Sequence, residues 1–185
     1  MKFSFTPYKI PGLLVVEGNS FPDERGFFME SFREEDLKEA GIGPLIQDNL
    51  SRSKKGVLRG LHYQKNPSAI GKLVRCVRGR IFDVAVDIRK GSPTYGKWAS
   101  IELDDLGNRM FWVPPGFAHG FLTLSETADV LYKVSGYWTP GVERGIAYND
   151  PKINIHWPSF EILVSTKDAE LPPLAQADNN FTLKP

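Results

Sequence analysis

The sequence predicts a mostly β domain of the sandwich or barrel kind, on three observations. Short runs rich in Val, Ile, Phe, Tyr and Trp recur at near-regular spacing. The 17 glycines and 14 prolines lie between these runs rather than pooled, so they punctuate short elements. Only one segment carries a helical signature. With 185 residues, no internal repeat and no low-complexity linker, the chain is expected to be one domain, 1–185.

In chain order, the first strand is expected in "GLLVVEG". The helix follows in "SFREEDLKEAG": Ser31 with Glu34 fits a capping box, acids fill the first turn, and Gly41 marks the stop. Strands are then expected in "GVLRGLHYQ" and "KLVRCVRG", with "VRGR" as a hairpin turn into "RIFDVAVDIR". In that last run Phe82, Val84, Val86 and Ile88 alternate with Asp83, Ala85 and Asp87, so the acids face solvent or a polar cavity. "KWASIELD", "RMFWVPPG", "HGFLTLS" and "DVLYKVSGYW" complete the strands. "ELPPLAQADNNFTLKP" reads as irregular chain on the surface.

Composition narrows the function. Hydrophobic residues make up 41% and charged residues 24%, enough for an ordinary core. The 23 basic and 22 acidic residues nearly cancel, which disfavours a broad nucleic-acid or membrane surface. Cys76 is alone, so neither an internal disulfide nor a thiolate zinc site is available. No apolar run reaches the length of a membrane helix and the start lacks a signal-peptide core, so a cytoplasmic protein is expected. Three scattered histidines without an HxH pair argue against a metal site, and no Gly-rich nucleotide loop or G-x-S-x-G elbow is present.

Polar residues inside apolar strands are the candidates for chemistry. "GVLRGLHYQ" holds Arg59 and His62, which period two would place on opposite faces. A bulge at Gly60 would re-aim them; otherwise His62 is a hydrogen-bonded core histidine and Arg59 an edge residue. His119, in "PPGFAHGF", is either a corner residue or a functional one. "LYKVSGYWTPGVERGI" offers Tyr132, Lys133, Tyr137, Trp138 and Glu143. Lys167 and Asp168, in "STKDAELPPL", read alone as a solvated pair on a loop. His156 has nothing distinctive near it.

Taken together, "FPDERGFFMESF", "QDNLSRSKKGVLRGLHYQ", "GKLVRCVRGRIFDVAVDIRKGSPTYGKW", "FWVPPGFAHGF", "YKVSGYWTPGVERGIAYNDP" and "STKDAELPPL" occur in the order found in one family. From about residue 10 to about 175 the chain resembles the dTDP-4-dehydrorhamnose 3,5-epimerases, with Tyr148 departing from a Trp common in relatives. The resemblance implies a cupin-like jelly roll, a homodimer, and an isomerase of dTDP-rhamnose biosynthesis working without metal or cofactor on a dTDP-4-keto-6-deoxy sugar. His62 would be the base, oriented by Asp168; Lys72 would stabilise the enolate; Tyr132 would donate a proton to the opposite face. Arg25 and Arg59 would bind the diphosphate. Glu30, Gln47, Asn49, His119, Glu143 and Lys167 match other substrate contacts, with Asp83 near the base. Phe27 or Trp138 would pack on the thymine. Some N-terminal residues of the family serve the neighbouring subunit, which would place Arg25 and Glu30 in trans. The rival expectations are a mono-epimerase acting at C3 or C5 alone, a sugar-nucleotide binder that has lost catalysis, and a metal-dependent cupin.

Overall fold

The computed structural model describes residues 2–183. Thirteen strands form: β1 (Ser4–Pro7), β2 (Leu14–Glu17), β3 (Ser20–Asp23), β4 (Gly26–Met29), β5 (Gln47–Lys54), β6 (Leu58–Gln64), β7 (Lys72–Arg78), β8 (Arg80–Asp87), β9 (Trp98–Asp104), β10 (Arg109–Val113), β11 (Phe117–Thr123), β12 (Thr127–Val134) and β13 (Glu143–Gly145). Two short helices accompany them, α1 (Glu34–Glu39) and α2 (Thr166–Ala169). A six-stranded antiparallel sheet, ordered β1-β2-β10-β7-β12-β5, faces a five-stranded one, ordered β13-β6-β11-β8-β9, and β3 with β4 makes a separate hairpin. This is the expected jelly-roll sandwich. Every expected strand is present.

Between the sheets lies the main core, in which Val74, Cys76, Phe111 and Val130 of one sheet meet Ile81, Ala85, Ile101 and Phe121 of the other. Each sheet is also covered outside. Leu73, Met110 and Trp112 of the six-stranded sheet pack under Phe3, Leu37 and Ile42. Val84, Val86 and Ile88 of β8 pack under Ile153, Ile155, Leu174 and Phe181.

That second cover narrows one expectation and corrects another. The alternation in β8 is real, but neither face meets water. The acids point into the sandwich, where both Asp83 and Asp87 are fully buried. Asp83 meets His119, while Asp87 accepts from the Arg89 guanidinium and the Ser92 and Thr94 hydroxyls, so each buried carboxylate is satisfied. The C-terminal chain is irregular, as expected, but it is a lid on the apolar side of β8 rather than a surface trail.

Two local readings also change. "VRGR" is not a hairpin, because β7 and β8 belong to different sheets. Gly79 carries the chain across at φ +77°, where an added Cβ would lie 2.2 Å from the Thr127 carbonyl oxygen. The capping box at Ser31 and Glu34 does not form. α1 starts later, with Arg33 at the N-cap and no side-chain cap. Asp36 instead accepts the Phe3 N–H at 2.9 Å, tying the helix to the N-terminal chain. The stop is as expected: Gly41 N–H donates to Lys38 and Ile42 N–H to Leu37, a Schellman ending sealed by the Leu37 and Ile42 side chains.

Candidate active site

The site begins with an irregularity in β6. Against β11, His62 pairs with His119 and Arg59 pairs with Phe121. Three steps on β6 therefore match two on β11, so β6 carries one extra residue, a bulge at Gly60 and Leu61. Gly60 permits it at φ +128°; a Cβ there would sit 2.6 Å from the Gly120 Cα. The extra residue cancels the alternation, and Arg59 and His62 both line one cavity of about 510 Å³.

That cavity is also walled by Lys72 of β7, Tyr132 of β12, His119 of β11, and Ser165, Lys167 and Asp168 around α2. A second cavity of about 250 Å³ adjoins it, lined by Gln47 and Asn49 of β5, Gln64 of β6, Glu143 of β13 and Trp138. His62, Lys72 and Tyr132 line both, so they mark where the two meet.

His62 Nε2 lies 2.7 Å from Asp168 Oδ1. With Nε2 carrying the proton toward the carboxylate, Nδ1 is left as the free basic atom. Asp168 is placed by α2, where Ser165 is the N-cap and its hydroxyl accepts the Asp168 N–H at 3.1 Å. Burial pushes the Asp168 carboxyl up, but the hydrogen bond and charge of His62, the Gly60 N–H and Ser165 together hold it below the usual carboxylate range. The bulge glycine thus touches the carboxylate that orients His62.

A second histidine–carboxylate pair lies behind the first. His119 Nε2 sits 2.9 and 3.1 Å from the two Asp83 oxygens. Burial lowers the His119 pKa against the pull of Asp83, and Lys72 and His62 push it further down, so His119 is neutral near pH 7.

Lys72 is perturbed most usefully. Burial pulls its ammonium down to about 8, opposed by Glu143 and Asp83, so it remains a cation at neutral pH but loses charge easily. Burial raises the Tyr132 hydroxyl above its ordinary value, with Arg59 opposing, which keeps it a proton donor. Arg59 is braced by the Ser53 hydroxyl at 3.0 Å and the Arg52 carbonyl at 3.2 Å. Lys167 and Glu143 pair across the opening. Burial raises the Glu143 carboxyl, and the Lys167 bond and nearby cations bring it below its usual range.

A histidine imidazole, a half-buried lysine ammonium and a tyrosine hydroxyl therefore converge on one volume. Comparison with known proteins places the chain in a family. The family model described as dTDP-4-dehydrorhamnose 3,5-epimerase matches residues 7–176. The chain belongs to the dTDP-4-dehydrorhamnose 3,5-epimerase family. Within that family it is 51% identical to the dTDP-4-dehydrorhamnose 3,5-epimerase of Shigella flexneri over 92% of this chain and 95% of that one. It superposes with TM-score 0.90 and 46% identity on the epimerase of Legionella pneumophila in complex with dTDP-4-keto-L-rhamnose, covering 94% of each chain. A 3'-monoepimerase of Streptomyces bikiniensis in complex with dTDP-quinovose has the same fold, with TM-score 0.87, 37% identity, and 91% and 87% of the two chains covered.

Of the residues the family resemblance singles out, His62, Lys72, Tyr132, Asp168, Arg59, His119 and Lys167 come together in the larger cavity and Gln47, Asn49, Trp138 and Glu143 in the smaller. Arg25, Phe27 and Glu30 line neither. Arg25 and Phe27 are exposed on the β3–β4 hairpin, where Arg25 pairs with Asp23 at 2.6 Å. Sequence reasoning missed Ser51, whose buried hydroxyl has no hydrogen-bond partner among the described residues, and Ser165. A signal for Ser51 existed: Gln47, Asn49 and Ser51 alternate with Asp48, Leu50 and Arg52. Strand propensities favour apolar inward sets, and here the inward set is polar because it faces a cavity. Among the described residues no group of three or more His, Cys, Asp or Glu side chains is placed to hold a metal ion.

Proposed function

We infer that the protein epimerises C3 and C5 of dTDP-4-dehydro-6-deoxy-D-glucose, giving dTDP-4-dehydro-L-rhamnose. The observation that carries this is the junction of the two cavities, where the Asp168-oriented His62, Lys72 and Tyr132 surround one volume. The C4 ketone acidifies the hydrogens on C3 and C5. His62 Nδ1 takes one proton, and Asp168 stabilises the imidazolium that forms. Negative charge moves to the ketone oxygen, where the Lys72 ammonium is worth on the order of 3 kcal/mol in the transition state. Tyr132 returns a proton on the opposite face of the ring, which inverts the carbon. Solvent then takes the proton from His62 and returns one to Tyr132, and repeating this at the second carbon completes the reaction without any net redox change.

Arg59 and Lys167 supply the exposed cations that suit a diphosphate. Trp138, beside the smaller cavity, supplies an aromatic face for the thymine. The hairpin bearing Arg25 and Phe27 stands away from this chain's own cavities and exposes Phe21, Phe27 and Phe28. That exposure supports a homodimer in which the hairpin brings Arg25, Phe27 and Glu30 to the neighbouring subunit's site. Among the described residues no helix is long and apolar enough to cross a membrane.

The test is an NMR assay in D2O with dTDP-4-dehydro-6-deoxy-D-glucose and a downstream NADPH-dependent reductase. Deuterium at both C3 and C5, with dTDP-L-rhamnose formed, is expected. Deuterium at one carbon would make the protein a mono-epimerase, and binding without exchange would make it a sugar-nucleotide binder.

A further inference from the structure

We infer that Gln64 is a positioning residue that fixes Trp138 relative to His62; the consequence for substrate rests on the proposed packing of Trp138 on the nucleobase. Trp138 is 58% exposed, on the loop between β12 and β13. An exposed indole offers a useful stacking face only if its backbone is held. Gln64, by contrast, is 3% exposed. Its amide N–H groups donate to the Ser68 carbonyl at 2.8 Å and the Tyr137 carbonyl at 3.2 Å. Its carbonyl accepts the Thr139 N–H at 2.7 Å.

The two loop bonds therefore go to the residues on either side of Trp138. One side-chain amide grips that backbone as a residue of a parallel strand would, bonding the carbonyl before its partner and the N–H after it. Apart from a long bond within the loop, Val142 N–H to the Thr139 carbonyl at 3.5 Å, the hydrogen bonds found for 136–140 among the described residues that leave the loop go to Gln64. The flanking anchors lie at the loop's ends, Ser135 N–H to the Gly71 carbonyl and Lys65 N–H to the Val142 carbonyl.

Gln64 is also two residues beyond His62 on β6, past the bulge and on the same face, so both side chains line the smaller cavity. The strand separates base and clamp by roughly 7 Å along its axis. A single rigid segment thus sets the reach from the atom that removes the proton to the indole that holds the other end of the substrate. Glutamine suits the post because it presents donor and acceptor together. Glutamate would face two carbonyls with an acceptor, and methionine would fill the volume without bonding.

Protein labelled with 5-fluorotryptophan carries four fluorines, one for each tryptophan, and Trp138→Phe assigns the loop signal. In Gln64→Met the Trp138 resonance is expected to move and narrow while the other three stay. The dissociation constant for dTDP is expected to rise roughly tenfold, with kcat at saturation changing less than about threefold. In a Trp138→Ala background the same change should cost affinity less than about twofold, because the clamp then has nothing to position. Gln64→Glu, which keeps the Thr139 bond and loses both donors, should behave alike and serves if the methionine variant does not fold. An unmoved Trp138 resonance in a folded variant would overturn the inference, as would an undiminished loss of affinity in the Trp138→Ala background. If Trp138→Ala alone left dTDP affinity intact, the nucleobase reading would fall, whereas the resonance still reports the clamp.

Discussion

At the residue scale, the site separates groups by environment. His62 keeps a free Nδ1 because its other nitrogen faces Asp168, whereas His119 is held neutral against Asp83 by burial. His62→Ala should lower kcat by roughly 10³-fold with dTDP affinity little changed, measured by turnover and by titration with dTDP. Tyr132→Phe should retain hydrogen exchange with D2O yet impair completed inversion; product formation at the wild-type rate would refute the donor role. Lys72 makes a pH prediction. Its folded pKa of about 8 lies below the ordinary 10.5, so the free enzyme loses this cation as pH rises through 8, and kcat/KM should fall there. Lys72→Arg keeps its charge to much higher pH, so in that variant the alkaline limb should move up by at least about two pH units, even if the maximal rate is lower.

At the element scale, the deciding feature is the β6 bulge. Without it, Arg59 and His62 would point to opposite sides of the sheet. Gly60→Ala forces a Cβ against Gly120 and the His119 carbonyl, in a backbone region that alanine avoids. It should cost roughly 3 kcal/mol in chemical denaturation, near the upper end for a single substitution. Where the variant folds, a displaced base should cost turnover about 10²-fold. The strand propensities of β6 through β12 were legible because their apolar runs face a dry core. β5 escaped notice because its inward residues are polar, and the β3–β4 hairpin because its aromatics are exposed. A Ser-x-x-acid pattern occurs three times, at Ser20–Asp23, Ser31–Glu34 and Ser165–Asp168. Only the last caps a helix, and there the carboxylate turns away to His62.

At the scale of the whole molecule, the sandwich is covered on both outer faces, while the β3–β4 hairpin extends with exposed phenylalanines. The proposed dimer makes a complementation prediction. Neither His62→Ala nor Arg25→Ala homodimers should turn over well. Mixed dimers should recover up to about a quarter of wild-type activity, because half of the dimers are mixed and each then holds one intact site. No recovery on mixing would place Arg25 in its own chain's site.

Taken by itself, the sequence determined what local pattern and ordered motifs can carry: a mostly β domain, most strands of both sheets, the Gly41 helix stop, and the family whose motifs run through His62, Lys72, Tyr132 and Asp168. Tertiary structure alone decided what depends on register and on contacts between distant segments. It set the one-residue offset that turns Arg59 and His62 to the same cavity. It brought Asp168 across 106 positions to within 2.7 Å of His62. It also buried Asp83 and Asp87 between the sheets, because the C-terminal chain packs on the apolar face of β8 and the acid-bearing face turns to the opposite sheet. The physical reason is the same throughout. Side-chain periodicity says which residues share a face, but what that face meets is decided by the chain that packs against it.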